Sequence, residues 1–349
     1  MTSRLSPARR GLRAGWRRFA VSSAGLAAAV AVGGVTLPQP VLSQSISAGR
    51  VVTDSLWSYA LGTYKHVVVY LPPSYDRSSA RYPVAYYLHG LTGNETNWVK
   101  AGHLDASLDT LVARGMRQMI VVMPDGDDSW WMTSNSLPDV AACQRTLPAY
   151  AGDASTYCVP WPHYDDYVAY DLVRWVDGTY RTRADRAHRG IAGLSMGGYA
   201  AMMLSLEFPD RFAAAASHSG VVWPLEWAPA GVFSRPAGTA DSLWTRVWQG
   251  GVGQSMRSVF GQDTSAWYAR DPVHLLDRAR ARHAELPALK ADCGTSDPFV
   301  AGNRAFRDAL KARNVSLAYD EFSGGHDWKY WTTHARESLT WLAGQIATP

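Results

Sequence analysis

The sequence predicts an α/β fold: a mostly parallel central sheet with helices on both faces. Three observations predict it. Short apolar runs of strand length alternate along the chain with longer segments of helical spacing. The loops richest in glycine and titratable residues follow the strands, where ligands bind in open parallel sheets. The stretch Ile191-Ala192-Gly193-Leu194-Ser195-Met196-Gly197-Gly198 places a G-x-S-x-G between a short apolar run and a helix-forming one.

The elements follow in order. Residues 1–50 carry seven arginines and no Asp, Glu or Lys, and Phe19 to Leu37 is an uncharged run rich in Ala, Val and Gly. With small residues at Val41-Leu42-Ser43, residues 1–43 read as a cleaved export signal, with an uncleaved membrane anchor as the alternative. Arg9-Arg10 and Arg17-Arg18 leave both general and twin-arginine export open. The chain is expected to be secreted, with no stable membrane insertion once the signal is cut. Residues 50–349 read as a single domain.

Thr63 to Leu71 reads as a strand stopped by Pro72-Pro73, and Tyr82 to Leu88 as a buried central strand ending in the loop His89-Gly90-Leu91. A helix is expected over Leu104 to Ala113 and a strand over Met119 to Met123, followed by the loop from Pro124 to Trp131. Asp165 to Tyr180 has Val168, Leu172, Trp175 and Val176 at helical spacing, with acids in its first turn. Strands are then expected at Ala213 to Ser217, Leu289 to Cys293 and Leu317 to Glu321, with helices over Val300 to Lys311 and Trp328 to Gln345. Residues 221–275, with Gly, Pro and five tryptophans, break this rhythm and read as a lid-like insertion over the active face.

Composition narrows the function. The chain has 349 residues, 47% hydrophobic and 18% charged, with net charge +4. Setting aside the seven leading arginines leaves 27 basic against 30 acidic residues, so no basic face points to nucleic acid. Of three cysteines, Cys143 and Cys158 flank an irregular loop and are expected to form a disulfide, consistent with export. Cys293 is expected to be a buried free thiol. No Cys/His cluster has metal-ligand spacing, so neither a metal nor another cofactor is expected. Asp125, Asp127 and Asp128 lack an EF-hand pattern and read as a solvated loop.

The chemistry centres on Ser195. A serine hydroxyl needs a base to take its proton, and the base needs an acid to hold its tautomer. With a nucleophile on a strand-to-helix elbow, the partners are expected in the order acid, then histidine. The loops after the last two strands supply Asp297 and His326; Asp292 competes for the acid role but lies inside a strand. The backbone amides of Leu91 and Met196 are the candidates for an oxyanion hole, and His89 is expected to hold its loop by hydrogen bonds. Trp130, Trp131, Trp223 and Trp328 follow strand ends and are candidates to line a substrate cleft.

These pieces, with Tyr70-Leu71-Pro72-Pro73, Met123-Pro124-Asp125-Gly126, Ser219-Gly220 and Gly325-His326-Asp327-Trp328, resemble the esterase D / S-formylglutathione hydrolase / antigen 85 group of α/β-hydrolases. The resemblance implies an α/β-hydrolase fold and the same roles for Ser195, Asp297, His326, Leu91 and Met196. It implies a serine esterase acting on a small-molecule, glycan or lipid ester, with acyl transfer to a sugar or glycerol hydroxyl as the alternative. Mycolyltransferases in the group carry Glu as the triad acid, whereas Asp297 matches the plain esterases. The insertion at 221–275 departs from the group's pattern.

Overall fold

The computed structural model describes residues 48–133, 140–147, 157–222, 250–261 and 264–346. The export-signal reading of residues 1–43 and most of the proposed insertion therefore lie outside the described residues. Among those described, no helix is long and apolar enough to cross a membrane.

Eight strands form one sheet: β1 (Arg50–Ser58), β2 (Thr63–Leu71), β3 (Val84–Leu88), β4 (Ile120–Pro124), β5 (Arg189–Leu194), β6 (Ala214–His218), β7 (Ala288–Gly294) and β8 (Ala318–Phe322), in the order β1-β2-β4-β3-β5-β6-β7-β8. From β4 to β8 every neighbouring pair is parallel. The hairpin β1–β2 is antiparallel and joins the sheet antiparallel to β4. β1 is an addition to the sequence reading. Its positions alternate between exposed and half-buried until Leu56, so it lacks the apolar run that marks the buried strands.

The period-2 pleat sends alternate side chains to two cores. Val84, Tyr86 and Leu88 of β3 join one cluster with Val168, Leu172 and Leu275, while Ala85 and Tyr87 join the other with Leu104, Leu108 and Leu339. Of the helices α1 (Leu104–Ala113), α2 (Met196–Glu207), α3 (Val300–Ala312) and α4 (Trp328–Ile346), the first, third and fourth fall within a residue of the sequence expectation, which set no bounds for α2. Residues 164–179 are helical throughout, with a π-helical stretch at Tyr167–Leu172. Parallel strands need crossover helices, and these cover both faces.

The described part of the 221–275 segment corrects the lid reading. Helices at Gly251–Phe260, Thr264–Arg270 and Pro272–Ala281 bury Met256, Phe260 and Trp267 in the main core. Trp267 stacks on Phe260 at 4.4 Å. This described part is built into the domain body through those core contacts.

Candidate active site

The elbow at Ser195 is set by steric necessity. Ser195 ends β5 and opens α2 with φ 53° and ψ −116°, a conformation that L side chains rarely adopt. A Cβ on Gly193 would lie 2.3 Å from the carbonyl oxygen of Gly197, and one on Gly197 would lie 2.4 Å from that of Leu88. Both positions therefore require glycine. The turn is held by the Ser195 amide donating to the His218 carbonyl at 2.9 Å, and by the Tyr199 amide donating to the Ser195 carbonyl at 3.0 Å.

Two loops at the same edge of the sheet approach this serine. Ser195 Oγ lies 2.9 Å from His326 Nε2, and His326 Nδ1 lies 2.8 Å from Asp297 Oδ2. Asp297 is 2% exposed, and its other oxygen accepts from the Phe299 amide at 2.8 Å. An ionised carboxylate at Nδ1 fixes the proton there, which leaves Nε2 to accept from the serine. The imidazole sits between Phe299 and Trp331, each 4.9 Å away between ring centres. The loops are stitched together. Thr295 donates to Phe322 and Ser296 to Gly324, and a Cβ on Gly294 would meet the Gly324 carbonyl at 2.5 Å. Ser195, Asp297 and His326, far apart in sequence, thus converge on one point.

The loop that carries Leu91 adjoins the elbow, where a Cβ on Gly90 would lie 3.3 Å from Ser195 Cβ, and Met196 follows Ser195 directly. Met196 is the first residue of α2, so its amide has no partner within the helix and shares the positive end of the helix dipole. Among the described residues the Leu91 amide makes no hydrogen bond, while its neighbours Thr92 and Gly93 donate to Asp128 and Gly90. His89, 1% exposed, holds this loop. Its Nε2 accepts from the Gly126 amide at 2.9 Å, so the proton sits on Nδ1, 2.8 Å from the Gly90 carbonyl.

Beneath the oxyanion loop lies a charge cluster that the sequence reading missed. Lys65 is fully buried, with Nζ 2.7 Å from both Asp125 and Asp127. The solvated-loop reading of these aspartates is therefore corrected: each is 7% exposed and serves as counter-ion to a lysine buried away from solvent. Burial works against the ammonium, but the two carboxylates outweigh it and raise its pKa. Burial also opposes ionisation of Asp125, yet Lys65 holds it well below the usual carboxylate range. Asp127 is pushed the other way, up to about 7, by burial and by Asp125. Lys65 shares its strand face with Val67, Val69 and Leu71, and that phase is the signal that could have marked it as inward-facing.

The tryptophans divide. Trp130 and Trp131 are 1% and 0% exposed, which removes them as cleft walls. Trp130 packs on Tyr199 and donates to Ser255, and Trp131 donates to the His89 carbonyl from beneath the loop. Both residues have positive φ, a strain that this packing holds. Trp328 is half-buried against Trp98 and Trp331, next to the His326 loop. Trp223 lies outside the described residues.

Cys143 and Cys158 form a disulfide, and both border a cavity of about 630 Å³ whose wall includes Asp128, Tyr157 and Ser258. Cys293 is a buried free thiol, and burial, with Asp297 and Asp292 beside it, pushes its pKa far up. Asp292 is engaged elsewhere. It lies 2.7 Å from His218 Nδ1 and accepts from the Tyr330 hydroxyl, while His218 Nε2 is 2.7 Å from Ser338 Oγ. Among the described residues no group of three or more His, Cys, Asp or Glu side chains has the arrangement of a metal site.

The Esterase family model matches residues 58–341. Esterase Rv1288 of Mycobacterium tuberculosis is 27% identical over 292 residues, covering 78% of this chain and 55% of its own. The chain thus spans about half the length of that relative. An acetyl esterase of Caldicellulosiruptor saccharolyticus is 22% identical over 271 residues, covering 77% of this chain and 86% of its own. The solved structure of a ferulic acid esterase superposes with a TM-score of 0.62 at 26% identity, covering 86% of this chain and 99% of its own.

Proposed function

Because the chain belongs to the Esterase family, we propose that it is a serine carboxylic-ester hydrolase that works through an acyl-enzyme on Ser195. One observation carries this reading: His326 bridges Ser195 Oγ at 2.9 Å and the buried Asp297 at 2.8 Å. His326 Nε2 takes the serine proton as Oγ bonds to the ester carbonyl carbon. The carbonyl oxygen becomes an oxyanion facing the amides of Leu91 and Met196, and Asp297 stabilises the imidazolium. Collapse breaks the bond to the alcohol, which leaves with the proton from His326. A water then gives its proton to His326 and attacks the acyl carbon, and the second collapse releases the acid and restores Ser195.

The names of the relatives, an acetyl esterase and a ferulic acid esterase, favour esters of small acyl groups on a larger alcohol. Export fits both the basic-then-apolar front of the sequence and the Cys143–Cys158 disulfide, which persists in an oxidising compartment. The test is hydrolysis of p-nitrophenyl acetate, butyrate and palmitate by the wild type and by Ser195→Ala. A fall in kcat of about a thousandfold or more is expected for the variant, and equal rates would overturn the assignment. With water as acceptor, added glycerol or trehalose leaves free acid as the product; new ester would move the reading to acyl transfer.

A further inference from the structure

The exposed large apolar side chains of this protein are concentrated in one place. Among the described residues seven are exposed: Val51, Trp57, Tyr59, Tyr64, Trp161, Tyr170 and Tyr268. The first four lie on the β1–β2 hairpin, and the fifth packs against its turn. A Cβ on Gly62 would meet Trp161 at 2.6 Å, and the Trp161 amide donates to the Leu61 carbonyl. Trp57 pairs across the hairpin with Tyr64, their rings 5.2 Å apart and edge to face, and Tyr59 is 6.5 Å from Trp57. Tyr59 is 78% exposed. Clusters of this kind on a soluble domain mark an interaction surface.

The chemistry of the patch selects its ligand. The four members at the turn end, Trp57, Tyr59, Tyr64 and Trp161, are all aromatic, with Val51 at the far end of β1, so the patch offers ring faces and phenol hydroxyls in place of the aliphatic surface of a protein interface core. The exposed positions between them on β1, Thr53 and Ser55, add hydroxyl groups. The hairpin's own charges are engaged elsewhere. Arg50 pairs with Asp76, Asp54 turns to the Ser55 amide and Tyr180, and Lys65 is buried on Asp125 and Asp127. With no unpaired Lys or Arg among the described residues of the hairpin, this surface does not suit an anionic membrane or a polyanion. It suits an uncharged ligand with apolar C–H faces and many hydroxyls.

The placement of the patch supplies the rest. Val67 of β2 pairs with Pro124 at the carboxyl end of β4, so residues 57–66 run on past that end, on the catalytic edge of the sheet. From β2 to β5, which carries Ser195, is three strand steps, about 14 Å at the usual spacing. A ligand that reaches both must be a chain. We propose that the β1–β2 hairpin, through Trp57, Tyr59 and Tyr64, is an accessory binding surface for a neutral polysaccharide whose ester substituents are presented to Ser195. The binding is independent of the ester-hydrolase reading; only the delivery of substituents rests on it.

The test is retention of the full chain on insoluble cellulose, arabinoxylan and mannan, with wild type compared against Trp57→Ala/Tyr64→Ala and against Tyr59→Ala. Wild type is expected to be retained on at least one polymer, with the bound fraction falling fivefold or more in the double variant. Turnover of p-nitrophenyl acetate should stay within twofold of wild type, which reports on the catalytic site separately. No retention of wild type on any of the three polymers would overturn the proposal. So would equal retention of wild type and both variants. Loss in the variants of self-association, or of binding to uncharged phosphatidylcholine vesicles, with polymer retention unchanged, would assign the patch to a second copy or a lipid surface and also overturn it. Tyr59→Ala removes a side chain that is mostly in solvent, so its result does not depend on the double variant folding.

Discussion

Replacing Lys65 with methionine should destabilise the protein in a way that depends on pH with a defined sign. The ammonium is fully buried and is shared by two carboxylates, each 2.7 Å away. Methionine keeps most of the volume, so packing loss is small and the effect isolates the charge. Removing one partner of a buried ionic set costs about 3–5 kcal/mol because the remaining charges are stranded. For a domain of roughly 300 residues the unfolding entropy is about 0.6 kcal/mol per degree, so the midpoint should fall by about 5–8 °C. In the wild type Asp127 is raised to about 7, so its contribution is fully present below the unfolded carboxylate range and is lost as pH rises through 7. Asp125 is depressed, and its contribution is present above the unfolded carboxylate range and lost as pH falls through its own lower value. Without Lys65 the main counter-charge at both groups is gone and burial prevails. Both then hold protons to higher pH, and the deficit of the variant is largest where both must ionise. Thermal unfolding at pH 5 and pH 8 reads this directly: the gap between wild type and Lys65→Met should be wider at pH 8. An equal gap at both values, or a loss below about 1 kcal/mol, would refute the description of Lys65 as the counter-charge of this cluster.

Three further outcomes follow from the geometry. Asp297→Asn preserves shape but permits the wrong imidazole tautomer, and kcat for p-nitrophenyl acetate should fall by about three to four orders of magnitude with little change in midpoint. Cys143→Ser/Cys158→Ser opens a loop with a sequence separation of 15, for which about 3 kcal/mol is expected; denaturant unfolding of wild type with and without reductant should reproduce the same loss. Gly197→Ala places a Cβ 2.4 Å from the Leu88 carbonyl oxygen, so soluble variant should show a kcat reduced at least tenfold, and unchanged kcat would contradict the elbow's steric account.

Much of this arrangement is legible in the sequence because its signals are local. The buried strands β3 to β7 are short apolar runs, and Ser195, Asp297 and His326 each sit in a glycine-marked loop just past a strand end. What escapes is what depends on a partner rather than on its own pattern of residues. β1 is half-exposed along its length and exists by pairing with β2, so no apolar run announces it. Trp130 and Trp131 look like cleft residues from their place after β4. Their indoles instead fill the space under His89 and beside Tyr199, which only the folded chain brings together. Asp125 and Asp127 read as solvated acids until the inward phase of Lys65 on β2 is matched to the loop that follows β4.

The pairing of Asp292 with His218, and of His218 with Ser338, has a consequence for how a reactive serine is recognised. Asp, His and Ser stand there at 2.7 Å and 2.7 Å, as close as the corresponding atoms around Ser195. A search by residue type and distance alone therefore finds two nucleophile candidates in one chain. Ser338 is fully buried, and its hydroxyl also donates to the Ala335 carbonyl at 3.0 Å. Ser195 is 8% exposed and rests on an elbow that ordinary backbone does not adopt. Solvent access and backbone strain, more than the identity of the three residues, separate a reagent from a structural tie, and a fluorophosphonate should mark the first serine and pass over the second.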